Sequence, residues 1–297
     1  MSTEGTTFDP ALNSPYNYVP SRTVAIIFVT LFSVSLVIHI WQAARSRLWW
    51  LFPTIGIAGA LEVAGWSGRL WSSFTPSSFD AFMLQICATI LAPTPMVAAN
   101  FIILSRIINR LGASYSRIPA RWYSIIFCTC DFISLVVQGT GGGLAASAET
   151  DPTPGGNVML GGIIFQLVTI TIYALFAAEF FTRYFLDRPF RSRQGSVDSW
   201  KDQKPPMDVR LKIMSGGLVF STLCLFIRAV YRTIELSDGW NGRIISTELY
   251  FNVLDGAMIV LAIFTMNITH PGVLLHDSER KVTEKKLRDL SLETAHA

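Results

Sequence analysis

The sequence predicts an all-α membrane protein with seven transmembrane helices, an extracellular N-terminus and a cytoplasmic C-terminus. Three observations lead to this fold class. Of the 297 residues, 51% are hydrophobic and 15% are charged, whereas an average soluble domain has about 25% charged residues. Seven apolar windows each reach about 20 residues, the length that a helix needs to cross a bilayer. The basic residues concentrate in alternate connections between these windows.

The chain divides into a membrane domain and polar ends. The predicted spans cover 23–43, 49–71, 80–105, 122–144, 158–183, 211–235 and 244–269. Residues 1–20 are polar and lack the pattern of a secretory signal peptide, so they are expected to form an extracellular tail. Residues 21–272 form the predicted membrane domain, within which 184–210 is a polar, proline-containing cytoplasmic loop. Residues 273–297 are expected to form a cytoplasmic tail.

The orientation follows from the positions of lysine and arginine. Nineteen of the 24 basic residues lie in the first, third and fifth connections and in the C-terminal tail. Arg22 and Arg243 alone lie in connections on the other side. Because cytoplasmic loops carry an excess of Lys and Arg, the N-terminus is predicted outside. Tryptophans occur near the span ends, as interfacial aromatic residues do: Trp41, Trp49, Trp50, Trp71, Trp122 and Trp240.

Cysteine and histidine usage indicates neither disulfides nor a metal site. All four cysteines fall inside apolar windows, which favours small packing residues over a disulfide framework. His39 and His270 are expected at the membrane interface, near the cytoplasmic ends of their spans. No metal, cofactor or nucleotide-binding motif is therefore expected.

Polar residues within the spans recur with helical spacing. Arg228, Tyr231, Arg232 and Glu235 stand at i, i+3, i+4 and i+7, so one helix face presents all four. A charge at bilayer depth costs at least ~2.5–3.5 kcal/mol and faces protein or a wet cavity. The same reasoning applies to two further stripes, one at Glu248, Asn252 and Asp255 and one at Glu62, Trp66 and Arg69.

Other intramembrane features complete the candidate site. Pro93 and Pro95 are expected to kink the third span, and the glycine run 139–143 is expected to allow close helix packing. The candidate ligand-binding or translocation residues are Glu62, Arg69, Gln85, Asp131, Gln138, Gln166, Arg228, Arg232, Glu235, Glu248, Asn252 and Asp255.

The intramembrane charges do not balance. Away from the cytoplasmic and outer ends of the other spans, the intramembrane bases are Arg69, Arg228 and Arg232, and the intramembrane acids are Glu62, Asp131, Glu235, Glu248 and Asp255. Either some carboxylates remain protonated or a bound cation neutralises them. We therefore expect a shared polar cavity in the outer half of the membrane that accepts an amine-bearing or amphipathic ligand.

The order of these motifs resembles the fungal lipid-translocating exporter family, which includes aminocholesterol-resistance and sphingoid long-chain-base-resistance proteins. The resemblance covers about 16–272 and includes Glu62-x-x-Gly65-Trp66-x-x-Arg69, Asp131-x-x-Ser134-x-x-x-Gln138, Arg228-x-x-x-Arg232-x-x-Glu235 and His270-Pro271-Gly272. It implies a seven-span plasma-membrane protein linked to export, flipping or tolerance of amphipathic lipids. Phe101 and Asn252 stand where the family often has tyrosine, so the identity of the ligand does not transfer.

Three functions remain open at this point. The first is a translocator or exporter of sphingoid-base-like or sterol-like amphiphiles, with membrane lipids as its partners and any uphill transport coupled to a gradient. The second is a seven-span lipid receptor or sensor, in which a ligand shifts a two-state bundle. The third is an intramembrane lipid-modifying enzyme using Glu62 or Asp131, although the sequence offers no catalytic constellation that identifies one.

Overall fold

The computed structural model describes residues 14–148, 151–190, 207–239 and 242–276, which form helices and no strand. The α-helices are α1 (Arg22–Ser46), α2 (Ile57–Ser72), α3 (Phe79–Leu91), α4 (Pro93–Leu111), α5 (Ala120–Ala146), α6 (Thr153–Phe185), α7 (Val209–Ser237), α8 (Glu248–Tyr250) and α9 (Met258–Ile268). Short 3-10 turns cover Trp49–Leu51 and Ala113–Tyr115, and wider π turns cover Phe52–Gly56, Phe251–Ala257 and Gly272–His276. Most of the predicted N-terminal tail, cytoplasmic loop and C-terminal tail, and Trp240, lie outside the described residues.

Six helical stretches are long and apolar enough to cross a membrane, so the chain is an integral membrane protein. They are Arg22–Ser46, Phe79–Leu111, Ala120–Ala146, Thr153–Phe185, Val209–Ser237 and Glu248–Leu275, and they match six of the predicted windows. The window 49–71 is instead divided into a 3-10 turn, a π turn and α2, which has only 16 residues. Pro53 lies in the π turn, where its missing N–H prevents a regular helical ladder.

Contacts between the first and the last long helical stretch identify the two ends of the bundle. At one end the start of α1 meets the start of α8, where the backbone N–H of Ser21 donates to Glu248 at 2.8 Å. We call this end the N-terminal face. At the opposite face, the Gln42 side chain near the end of α1 donates to the Asn267 carbonyl at 3.0 Å.

Helices α5 and α6 pack most closely, and glycine makes this possible. A Cβ on Gly155 would lie 2.3 Å from the backbone nitrogen of Ala145, and one on Gly141 would lie 2.4 Å from that of Met159. Real Cβ atoms do not approach backbone at such distances, so larger residues would push the helices apart. The predicted packing of the glycine run is confirmed at Gly141, whereas Gly139 and Gly143 face open space.

The two histidines lie near the ends of α1 and α9, and the interfacial depth expected for them stays a prediction. His39 and His270 are buried within the protein, at 2% and 1% exposure, with ring centroids 6.4 Å apart. The amide N–H of Gly272 donates to Nδ1 of His270, which folds the chain back over the ring after α9. Within the described part of the chain, no three His, Cys, Asp or Glu side chains come together as a metal site would need. The four cysteines are free thiols.

Candidate functional site

Two buried arginines of α7 meet one carboxylate at the centre of the site. Nε of Arg228 lies 2.7 Å from Oδ1 of Asp255, and Arg232 holds both oxygens of Asp255 at 2.9 Å. Nη1 of Arg232 also pairs with Glu235 at 2.7 Å, and the Tyr231 hydroxyl donates to Glu235 at 2.8 Å. All five side chains are less than 5% exposed. The predicted helical stripe of α7 therefore faces the protein interior, and we call these five residues the arginine network.

The proline break between α3 and α4 supplies further acceptors to the arginine network. Pro93 has no N–H, so the carbonyl of Thr89, four residues earlier, loses its helical donor. Nη2 of Arg228 donates to this carbonyl, and Nη2 of Arg232 donates to the Thr89 hydroxyl at 2.8 Å. The Gln85 amide lies 3.4 Å from the same hydroxyl. The kink predicted from the sequence thus has a definite use, because it frees a buried carbonyl for an arginine.

Asp255 lies in the π turn Phe251–Ala257, which positions it between α2 and α7. π turns within α-helices occur often at functional sites, since the extra residue redirects the side chains around it. The neighbouring Gly256 leaves room for the Trp66 indole, because a Cβ there would lie 2.5 Å from the Trp66 ring. Asn252, in the same turn, is half-buried, and its Oδ1 has no hydrogen-bond donor among the described residues.

A second ion pair lies nearer the N-terminal face, beneath the segment that precedes α1. Nη2 of Arg69 donates to Glu248 at 3.2 Å and to the Tyr18 hydroxyl at 2.8 Å. Its guanidinium carbon lies 4.5 Å from the centroid of the Phe251 ring, a cation–π distance. The Tyr16 hydroxyl lies 3.2 Å from that of Ser72, and burial raises the pKa of Tyr16 to about 12. These two tyrosines therefore cover the site from the N-terminal face.

Glu62 lies on α2 between the arginine network and the aromatic residues around Trp66. It is 1% exposed, and neither carboxylate oxygen has a hydrogen-bond partner among the described residues. The charged groups close enough to act on it electrostatically are Asp255, Arg228 and Arg232. The indole N–H of Trp66 is near Glu62 but outside hydrogen-bonding geometry. The predicted stripe of α2 is thus fully buried. Its Glu62 carboxylate has no hydrogen-bond or ion-pair partner among the described residues.

A separate amide-rich network joins α4, α5 and α6. Nε2 of Gln166 donates to Asp131 at 3.1 Å and to the Thr94 hydroxyl at 2.9 Å. Nε2 of Gln138 donates to Oε1 of Gln166 at 3.1 Å and to Ser134 at 2.6 Å. All five side chains are buried. The described contacts give Asp131 no cationic partner, so this network is neutral only if Asp131 carries a proton.

The single wet cavity expected from the sequence stays a prediction. The charged residues do converge, but most of them lie in the arginine network or in the Arg69–Glu248 pair, whose donors and acceptors largely satisfy one another. The cavity between the arginine network and the two tyrosines holds about 10 Å³, and a second one beside Glu235 and Asn157 holds about 40 Å³. The first has room for about one water molecule. Each arginine fork binds several oxygens of the protein itself, which leaves little space for a ligand in this closed conformation.

An apolar groove lies between α6 and α7 on the lipid side of the bundle. It measures about 370 Å³, and its walls include Ala174, Ala178, Leu218 and Phe226. Thr222 contributes a rare polar group, and its hydroxyl accepts from the buried Asn100 amide at 3.2 Å. Sequence reasoning missed this groove, because scattered small and apolar residues in a span look like ordinary lipid contacts. It also missed Tyr16 and Thr89; a proline four residues after Thr89 was the available signal for the second.

Comparisons with a protein-family model and with known sequences find the same group of proteins. Residues 55–278 match the model of the family described as RTA1-like protein. The chain is 31% identical over 284 residues to the sphingoid long-chain base transporter RSB1 of Saccharomyces cerevisiae, covering 88% of this chain and 74% of that protein. Its identity to protein RTA1 of the same yeast is 24%, over 86% and 84% of the two chains.

A third relative is the lipid-translocating exporter-like protein RTA1 of Leptosphaeria maculans, at 23% identity over 89% of this chain and 52% of that protein. No solved structure matches the chain. The family model covers most of the membrane domain, and the 31% identical relative covers nearly all of the chain. The chain belongs to the RTA1-like family of fungal membrane proteins.

Proposed function

We propose that this protein translocates or exports amphipathic lipids, sphingoid-base-like or sterol-like, across the plasma membrane. The observation that carries the proposal is the similarity to a sphingoid long-chain base transporter over 88% of the chain. The arginine network supports it, because five charged or hydroxyl side chains buried among membrane helices are costly without a function. A long-chain base has one small polar end and one long apolar end, and the bundle offers matching regions for both.

The proposal includes seven spans and an extracellular N-terminus. The three helical segments from Trp49 to Ser72 extend roughly 35 Å at about 1.5 Å per residue, which exceeds a hydrocarbon core of about 30 Å. They supply the second of the seven spans. The excess of arginine at the opposite face, which includes Arg106, Arg110 and Arg117, supports a cytoplasmic location for that face.

In this scheme the polar head of the lipid binds at the arginine network and the tail lies in apolar surroundings. The structure is the closed state, so head-group entry requires Tyr16 and Tyr18 to move away from Arg69. Only one side-chain hydrogen bond joins Tyr18 to Arg69, and one joins Tyr16 to Ser72. The groove between α6 and α7 lies near the opposite face, where a tail extending from the cytoplasmic leaflet fits its apolar walls.

Transport is tested with purified protein in liposomes that contain a fluorescent long-chain base. Chemical quenching from outside reports the fraction of the lipid in the outer leaflet over time. We expect faster redistribution with the protein than in empty liposomes, and a rate near that of empty liposomes with Asp255→Asn. Glu179→Gln is the matched control, because Glu179 pairs at the opposite face with Arg117, which is 51% exposed. Equal rates with and without the unmodified protein would reject translocation.

The topology is tested separately by cysteine labelling in intact cells. Thr75→Cys places a thiol in the exposed turn between α2 and α3, and Arg117→Cys places one between α4 and α5. An impermeant maleimide is expected to label the first variant from outside, and the second only after permeabilisation. The unmodified chain, with its four free cysteines, gives the background. The reverse pattern would invert the proposed orientation.

A further inference from the structure

Glu62 differs from the other described carboxylates in the membrane helices. Asp255 receives three hydrogen bonds from arginines, Glu235 receives two, and Asp131 receives one from Gln166. Glu248 is bonded by Arg69 and by a backbone N–H. Glu62 receives none, although it is 1% exposed. Bonding within the described protein therefore does not explain this buried carboxylate.

The surroundings of Glu62 leave one negative charge unbalanced. Arg228 and Arg232 act on it from α7, and Asp255 acts on it from the π turn. The helices α1, α3 and α4 also pack against α2. Glu62 lies in the middle of α2, whereas their charged residues lie near the helix ends: Arg22, Arg45, Asp80, Arg106 and Arg110. Arg69, which shares the α2 face with Glu62, pairs with Glu248 instead. Counting Glu235 with these groups, two arginines face three carboxylates.

An unbalanced buried charge is too costly to persist. An ionised carboxylate removed from water without a partner costs several kcal/mol, so it takes up a proton or holds a cation. Both arginines are already engaged by Asp255, Glu235 and Thr89. The missing positive charge must therefore come from outside the protein. A proton or a primary ammonium group, which is compact and donates three hydrogen bonds, meets this need.

We propose that Glu62 binds either a proton or the ammonium group of a long-chain amine, so that binding of the amine displaces the proton. The amine enters as R–NH3+, the Glu62 carboxylic acid gives up its proton to water, and the carboxylate pairs with the ammonium. No covalent bond changes, and the charge within the network is the same before and after. The inference rests on the proposed function and deepens it, since it selects amines among amphiphiles and couples their binding to protons.

Proton release on binding is the direct test. The purified full-length protein in detergent is mixed with dodecylamine in weakly buffered solution containing a pH indicator. We expect close to one proton released per amine bound, and none with dodecanol, which has the same chain without the charge. Because proton and ammonium compete, the apparent affinity for the amine is expected to fall about tenfold for each pH unit below the range in which Glu62 titrates.

Variants test whether Glu62 is the carboxylate that exchanges the proton. In Glu62→Gln the proton release is expected to vanish and the binding to become independent of pH, whereas Glu62→Asp retains both effects. The surface control Glu179→Gln is expected to release protons as the unmodified protein does. Size-exclusion elution after mild heating confirms that each variant is folded.

Each outcome decides the inference without reference to lipid transport. Release that persists in Glu62→Gln, or that disappears in Glu179→Gln, overturns it. An unmodified protein that binds dodecylamine without releasing a proton, or that binds none, overturns it as well. If proton release depends on Glu62 but liposomes show no lipid movement, the proposed function fails while the exchange site stands. If liposomes show movement and release is the same in Glu62→Gln, only the exchange site fails.

Discussion

Replacing Asp255 with asparagine removes the acid that holds both arginines of the network. Asp255 is 0% exposed and accepts three hydrogen bonds, one from Arg228 and two from Arg232. Asparagine has nearly the same shape but carries no charge, and its amide N–H2 meets arginine donors where an acceptor oxygen stood. Two buried guanidinium groups then have Glu235, which pairs with Arg232, and Glu62, which is hydrogen-bonded to neither, as the remaining nearby carboxylates. Breaking a buried ion pair on one side typically costs about 3–5 kcal/mol.

This cost predicts a measurable change in thermal stability. Since about 1 kcal/mol shifts Tm by roughly 2–4 °C in proteins of 150–250 residues, Asp255→Asn is expected to lower Tm by roughly 6–20 °C. The assay is the amount of protein that elutes as a single peak from size exclusion after heating in detergent. Glu179→Gln removes two partly exposed ion pairs, with Arg117 and Arg183. Each is worth roughly 0.2–1 kcal/mol, so its Tm is expected to change by only a few degrees.

A double variant distinguishes charge from shape. Asp255→Asn combined with Arg228→Met removes one of the two orphaned cations, so the second substitution should cost less in this background than alone. A Tm of Asp255→Asn within about 2 °C of the unmodified protein would refute the reasoning, because no buried charge pair could then be contributing several kcal/mol.

Three further predictions concern the helix packing, the N-terminal segment and the amide network. Gly155→Ala places a methyl group against the backbone of α5 and is expected to destabilise the folded protein by about 1–3 kcal/mol. Gly161→Ala meets nothing within 4 Å and is expected to stabilise the folded protein by about 0.5–1 kcal/mol. The two variants should therefore shift Tm in opposite directions. Tyr16 has its pKa raised to about 12, so the stability that its neutral form contributes is complete below pH 10 and lost as pH rises through 12. A titration of tyrosinate absorbance, compared between the unmodified protein and Tyr16→Phe, should show this late component, and identical curves would contradict it. Gln166→Leu leaves Asp131 without its amide donor and is expected to lower the free energy of unfolding by about 1–3 kcal/mol. Tm measures this change. An unchanged Tm would mean that this hydrogen bond does not stabilise the protein.

Much of the architecture could be predicted from local sequence patterns. Apolar runs of about 20 residues located the six long membrane helices, because lipid requires each segment to satisfy its own backbone. The 3.6-residue period correctly grouped Glu62 with Arg69 and Arg228 with Glu235 on buried faces, since side chains seven residues apart, or two helical turns, share a face in any helix. The close helix packing at Gly141 and the helix break at Pro93 were also predicted correctly. The small size of glycine and the missing N–H of proline are properties of the residues themselves.

The pairing between helices could not be predicted, because it depends on the rotation and separation of elements far apart in sequence. No local sequence pattern specifies that Arg228 and Arg232 both bond to Asp255 and Thr89. Nor does any local pattern specify that Glu62 is hydrogen-bonded to neither arginine. The size of the space between the polar stripes could not be predicted for the same reason: whether facing stripes enclose water or close onto each other depends on a few ångströms of helix separation. The division of the polar residues into a charged network and a neutral one, with one carboxylate left over, arises only when nine helices pack together in the described part of the chain.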